Sequence, residues 1–246
     1  MKLAEMTWPE VEKLSRDVVV VFPIASFEQH SLHLPFITDT MVLEELIKRM
    51  EEQVRDAVLA LPTQWLGYSY HHMKFSGSLT AKSETHLNMI VDTVSSIVDA
   101  GFNKVLIVNG HGGNQSNMAV ALQRLREQYE NAKIYGCATW GVASEEMDEI
   151  KESGPEGSGH AGETETSMMM HLRPDLVKTD RMEKDGERSQ SVFAGKVTTF
   201  RRMDQRTKHG GMGDPTKASP EKGKRFYDVM VEKLVELIQE IREDAI

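Results

Sequence analysis

A chain of 246 residues with one cysteine, Cys137, can form no internal disulfide and cannot assemble a thiolate metal site, which suits a reducing compartment. Long apolar runs are missing as well. No stretch approaches the roughly 18 consecutive apolar residues of a membrane span, and Met1 to Glu10 lacks the apolar centre of a secretory leader. Positive charge is in short supply: 29 Lys and Arg against 38 Asp and Glu leave a net charge of −9. That balance argues against a nucleic-acid backbone as general partner and for a small-molecule substrate. The expectation is an unprocessed cytoplasmic protein that engages neither membrane nor nucleic acid. Its length suits one large α/β domain over residues 1–246, and no internal repeat is visible.

What is present alternates between strand and helix patterns. Val18 to Ala25 and Lys104 to Asn109 are short, β-branched, nearly continuous apolar runs, as in strands buried on both faces of a parallel sheet. Lys133 to Trp140 is a third, weaker run. Between them, Val42, Leu43, Leu46, Ile47 and Met50 form one helical stripe, and Leu87, Ile90, Val91, Val94, Ile97 and Val98 another. The second helix is expected to start after Ser83 as N-cap and to stop at Ala100-Gly101. A last helix opens at Ser219-Pro220 and runs to Ile241. Asp185 to Ser219, rich in Gly, Lys, Arg and Asp, reads as a loop or edge hairpin whose glycines could let backbone approach a neighbouring subunit or the site, with disorder an equal alternative on composition alone.

Three segments carry groups capable of chemistry. The first apolar run ends at Glu28-Gln29-His30, with Asp39 soon after, a carboxylate–imidazole–carboxylate set suited to zinc, manganese or iron. Asp39 could instead cap the helix that starts near Thr40. The second run ends at Asn109-Gly110-His111-Gly112-Gly113-Asn114, making His111 a fourth ligand candidate. The same glycines could form an anion-cradling turn with Asn114 as helix cap. In alternating α/β sheets, both segments would meet at the carboxyl ends of the strands. The third segment, His160-Ala161-Gly162-Glu163-Thr164-Glu165, opens a helix that ends at Arg173-Pro174. On a continuous helix, Glu163 and Glu165 point about 200° apart and cannot both address one metal centre, whereas His160 and Glu163 share a face. Met168 to Met170 reads as helix packing.

Taken together, these residues resemble the creatininase, or creatinine amidohydrolase, family. The resemblance rests on Ser26-x-Glu28-Gln29-His30, His33-Leu34-Pro35, Thr38-Asp39, Asn109 to Asn114 and His160-Ala161-Gly162-x-x-Glu165-Thr166-Ser167, and extends to His72-x-x-Phe75-x-Gly77 and Gly213-Asp214-Pro215. It implies a three-layer α/β/α sandwich with a mainly parallel central sheet, and a two-metal centre that cleaves C–N bonds in small cyclic amides or formamides. It also implies a homo-oligomer, with a hexamer as the common size. By the same resemblance Asp39 bridges two divalent ions, Glu28 and His111 complete one site, and His30 serves the other.

The fifth ligand departs from the pattern. Creatininase proper resembles this chain with Tyr-Glu in place of Gly112-Gly113, and Gly113 cannot supply that carboxylate. Glu163, in the segment that closes over the site, is the expected substitute, leaving Glu165 to orient a ligand or His160. His160 is expected to donate a proton to the leaving nitrogen or hold the oxyanion. His72, Ser78 and Trp140 are expected to line the substrate pocket. His71 and Ser76 also differ from many relatives, which points away from creatinine itself. The alternatives are hydrolysis of a non-amide metabolite such as an oxidised inositol, or a metabolite-binding protein that has lost its reaction.

Overall fold

Along the first strand, side chains alternate between two cores: Val19 and Val21 pack on one face of the sheet, Val20, Phe22 and Ile24 on the other. Both faces are covered, which is why the run is apolar without interruption. In the computed structural model, which describes residues 1–186, 196–197, 199–244 and 246, four parallel strands are ordered β2-β1-β3-β4. They are β1 (Val19–Ile24), β2 (Val58–Ala60), β3 (Lys104–Asn109) and β4 (Lys133–Ala138). β1 and β3 lie side by side, pairing Val20 with Val105 and Ile24 with Asn109.

Five longer helices flank the sheet: α1 (Thr38–Gln53), α2 (Ser83–Asp99), α3 (Gln115–Gln128), α4 (Glu163–Leu172) and α5 (Pro220–Arg242). Leu43, Leu46 and Met50 of α1, Met168 of α4 and Phe226, Leu234 and Ile238 of α5 bury against Val19, Val21, Leu106 and Val108. On the opposite face Leu87, Ile90 and Val94 of α2 and Met118 and Leu125 of α3 bury against Val20, Val105 and Ile107. At about 1.5–3 kcal/mol for each large apolar side chain withdrawn from water, these two cores supply the main driving force for the fold. Among the described residues, no helix is long and apolar enough to cross a membrane.

Several local expectations need adjustment. Ser83 is the first helical residue of α2 rather than its cap, and its hydroxyl donates to Asn117 Oδ1. Gly101 does terminate that helix in the left-handed region, at φ 91°. The third run ends as a strand at Ala138, and Trp140 belongs to the short helix Thr139–Val142 that follows. β2 is a strand that sequence patterning missed. α5 opens as expected, with Ser219 Oγ accepting from the Lys222 backbone N–H. The expected loop 185–219 includes residues 187–195 and 198, which lie outside the described residues; the remainder pairs Asp185 with Gly213 in an antiparallel bridge.

Helices α4 and α5 are joined by a buried ion pair. Glu163, fully withdrawn from solvent, accepts from Lys222 Nζ at 2.6 Å and from the backbone N–H groups of Glu152 and Ser153. Lys222 Nζ also donates to the Lys217 carbonyl. Replacing Lys222 by Met strands the carboxylate, so Lys222→Met should cost about 3 kcal/mol. Adding Glu163→Gln should recover much of that loss. Urea unfolding of the single and double variants measures both, and an unchanged midpoint in Lys222→Met would show the pair to be energetically idle.

Candidate metal centre

Because β1 and β3 are neighbours, the loops leaving their carboxyl ends face each other, and so do the groups those loops carry. Asn114 ties the two loops together: its amide donates to the Ala25 carbonyl and its oxygen accepts from the Tyr68 N–H. That cross-link, not helix capping, is what the asparagine does. Asn109 Oδ1 accepts the His111 N–H and sets that loop. Asp39 enters from the first turn of α1, where the helix N-terminus favours a carboxylate.

At the centre, Asp39 sits between two imidazoles. Oδ1 is 2.9 Å from His30 Nε2, Oδ2 is 3.0 Å from His111 Nδ1, and Ser26 donates to Oδ2 at 2.7 Å. Glu28, 1% exposed, faces His72 Nε2 at 3.1 Å through Oε1 and His111 Nε2 at 3.2 Å through Oε2. These contacts are close but misaligned, so neither Glu28 oxygen accepts a hydrogen bond. His160 Nδ1 approaches Oε1 at 3.6 Å, and Glu165 Oε2 lies 3.7 Å from His30 Nε2.

The electrostatics follow from this crowding. Burial opposes the charge on Glu28, yet His111 and His72 hold its carboxyl well below the usual range. Asp39 is likewise held low against burial, chiefly by His30. Burial would strip the proton from His30, but the Asp39 carboxylate raises it to about 9; His111 is raised in the same way by Glu28 and Asp39. His160 is pushed down to about 3 by burial and by the charge on His30. Desolvation pushes Glu165 up to about 7 against the pull of His30.

Of the residues singled out from sequence, Glu28, His30, Asp39, His111, His160 and Glu165 converge. Groups such as Glu28–His30–Asp39 and His30–His160–Glu165 offer ligand atoms within 4.8 Å of one another. Glu163 does not join them. The two glutamates diverge as helical geometry requires, but Glu163 turns to Lys222 and Glu165 turns to the cluster, the reverse of the expected assignment. The reason is where the helix begins: Ala161 takes φ 52° and α4 starts only at Glu163, so His160 is on a loop and shares no helical face with Glu163.

Ser78 is also displaced from its expected role, since its buried hydroxyl accepts the Gln29 N–H instead of lining the pocket. His72 lies against Glu28 on the floor of a cleft of about 1400 Å³, and Trp140, 42% exposed, forms one wall. Phe200, which lines the same cleft, packs on Tyr70 and His71.

Two participants were not assigned a place in the centre from sequence. His71 stacks on His111 with ring centroids 5.6 Å apart and joins Glu28 and His111 in a third ligand-capable group. It also explains Gly113: a Cβ there would lie 2.8 Å from the His71 ring, 2.4 Å from His111 Nε2 and 2.1 Å from the Tyr68 carbonyl, so no side chain fits. Gln29 contacts both His72 and His160. Its place inside Glu28-Gln29-His30 was the available signal, but an uncharged amide gives no hint of such contacts.

Comparison with known proteins follows the same lines. The creatininase family, described as creatinine amidohydrolase, matches residues 4–238. The mycofactocin precursor peptide peptidase of Mycolicibacterium smegmatis is 28% identical over 240 residues, covering 92% of this chain and 86% of that protein. The 3-dehydro-scyllo-inosose hydrolase of Thermotoga maritima and the creatinine amidohydrolase of Pseudomonas putida are each 26% identical, over 97% of this chain and 82% and 96% of theirs. Among solved structures, a manganese creatininase and a mutant creatininase of zinc–zinc type superpose with TM-scores of 0.84 at 23% and 24% identity, each pair covering 97% of both chains. With the family match spanning nearly the whole sequence, the chain belongs to the creatininase family of metal-dependent hydrolases.

Proposed function

We propose that the chain hydrolyses the C–N bond of an amide at a two-metal centre held by Glu28, His30, Asp39, His111 and Glu165. The observation that carries this reading is Glu28: a buried carboxylate whose two oxygens accept no hydrogen bond, ringed by imidazoles, is a group prepared for a cation. His30 and His111 support it, because each turns both ring nitrogens toward oxygen acceptors. A neutral imidazole can satisfy only one such contact by donation and needs a proton or a metal ion for the other.

Two divalent ions of the zinc, manganese or iron type, when bound, supply the Lewis acidity that makes water a nucleophile near neutral pH and polarises a carbonyl. The protein does the rest. Asp39, with His30 on one side and His111 on the other, would hold the ions together with those two imidazoles. His160 Nδ1 faces this space and takes the proton of the attacking water, then returns it to the leaving nitrogen. Water is consumed, the C–N bond breaks, and a carboxylic acid and an amine leave.

Substrate size follows from the cleft. At about 1400 Å³ it exceeds the roughly 300–1,000 Å³ usual for small-molecule sites. An amide flanked by substituents on both sides, as in a short peptide, fills it better than a bare cyclic amide or formamide. The relative from Mycolicibacterium, named as a peptidase, points the same way. Assaying zinc- or manganese-loaded protein on blocked di- to tetrapeptides, creatinine and N-substituted formamides tests this. Turnover should be fastest on the peptides; activity confined to creatinine would defeat the size argument, and none on any amide would defeat the reaction class.

Elemental analysis separates the ligand roles. Asp39→Ala should retain neither metal nor turnover, Glu165→Gln should lose about half the metal, and Glu163→Gln should keep its full complement. Loss in Glu163→Gln with full occupancy in Glu165→Gln would reverse the fifth-ligand assignment.

Protonation gives an independent check. With their proton affinities raised, His30 and His111 are both protonated in the metal-free chain at neutral pH, so metal loading must displace those protons. Titrating zinc into weakly buffered protein at pH 7 should release about two to three protons per chain, one from each imidazole and the remainder from Glu165, whose carboxyl is pushed up to about 7. Affinity should climb with pH until His30 deprotonates unaided near 9. Binding without proton release would remove both imidazoles from the ligand set.

A further inference from the structure

Gln29 lies between the two histidines that flank Glu28, and backbone partners of fixed role orient its side-chain amide. Its side-chain oxygen accepts the Ser31 backbone N–H at 2.8 Å, and its nitrogen donates to the Gly210 carbonyl at 2.9 Å. Backbone N–H groups only donate and carbonyls only accept, so the orientation of this amide is unambiguous. The same nitrogen lies 3.2 Å from His160 Nε2, but that ring nitrogen, 2.7 Å from the Gln29 backbone carbonyl, is itself a donor, so the second amide hydrogen goes to His72 Nδ1, 2.6 Å away. His72 Nδ1 must therefore be the lone-pair nitrogen, and His72 carries its proton on Nε2, the atom 3.1 Å from Glu28 Oε1. On the other side, the Gln29 backbone carbonyl lies 2.7 Å from His160 Nε2, which must donate to it. That leaves His160 Nδ1 bare, 3.6 Å from the same Glu28 oxygen.

We propose that Gln29 is a positioning residue that imposes opposite tautomeric faces on His72 and His160, so that one presents an N–H and the other a lone pair to the space around Glu28 Oε1. The functional consequence rests on the hydrolytic reading given above; the tautomers themselves do not. A donor at His72 is available to a developing oxyanion, while an acceptor at His160 can take a proton only if it starts without one. His160 is thereby a base before it is an acid.

The amide is held with corresponding care. Gly210 has φ 91°, and a Cβ there would fall 2.1 Å from Gln29 Oε1, so only glycine brings that carbonyl close enough. Its loop is gathered by Asp185, whose carboxylate accepts the backbone N–H groups of Gly186, Lys208, His209 and Gly211. The glycine-rich segment thus does approach the site, and Gln29 is what it meets.

The test is ¹⁵N NMR of imidazole nitrogens in the zinc-loaded full chain, with signals assigned by comparison with His72→Asn and His160→Asn proteins. At neutral pH His72 should show an unprotonated Nδ1 and protonated Nε2, and His160 the same pattern, which in its orientation turns the bare nitrogen toward Glu28. Gln29→Glu replaces the donor by an acceptor and should move the His72 proton to Nδ1 while leaving His160, fixed by the backbone, unchanged. Metal content should stay at the wild-type value while kcat/KM falls about 10- to 100-fold. Gln29→Met, which can neither donate nor accept, should leave His72 a mixture of tautomers, and it guards against misfolding of the charged variant. A protonated His72 Nδ1 in the wild-type protein, or a His72 tautomer indifferent to both substitutions, would overturn the assignment. If the tautomers are as stated but no amide is turned over, the hydrolytic reading fails and the role of Gln29 in ordering the two rings stands.

Discussion

Two carboxylates withdrawn from water, Glu28 in the loop after β1 and Asp39 in the first turn of α1, set the terms for the rest of this molecule. Desolvating an ion costs several kcal/mol, and the cost is met by charge and hydrogen bonds brought from elsewhere in the chain. Asp39 receives the Ser26 hydroxyl, two imidazoles and the amino end of α1. Glu28 receives no hydrogen bond at all, only imidazole nitrogens at ion-pair distance. The difference separates a carboxylate that is satisfied by protein from one whose oxygens have no donor.

Holding those groups together requires backbone to approach backbone more closely than side chains permit, and this accounts for particular glycines. Gly67 packs on the Ala25 carbonyl and on Asn114, the residue that joins the loops after β1 and β3. Gly113 lies against the Tyr68 carbonyl and His111, with the His71 ring over it. A family-type glutamate at that position has no room here. The ligand-capable groups around it are the imidazoles of His71 and His111 beside Glu28, and Glu165 beside His30.

Helix α4 shows how one element serves both stability and site. Its two glutamates leave on opposite sides, one to neutralise Lys222 against α5, the other to meet His30 across the cleft. α4 and α5 pack along the same core as β1 and β3, so the helix that carries Glu165 to the centre is also the one that the ion pair ties to α5.

Much of this was legible without coordinates. Continuous apolar runs identify β1 and β3 because strands covered on both faces cannot tolerate polar residues, and the helical stripes of α1, α2 and α5 follow from one-sided burial. Glu28, His30 and His111 were readable because each sits just past such a strand, where parallel sheets gather their functional groups, and Asp39 because it follows the first pair closely as a second carboxylate. β2 was not, since three residues carry too little pattern to register. Ser78 was read as pocket lining because sequence does not show which way a loop hydroxyl turns. The choice between Glu163 and Glu165 also lay beyond the sequence: both sit in one first turn, and which faces the centre depends on the residue where the helix starts and on where Lys222 stands after folding. Local sequence determined the elements and the chemical types at their ends, because burial and periodicity are local properties. Only the tertiary structure decided the partners, because His71, Gln29 and Gly210 acquire their roles through contacts between segments far apart in the chain.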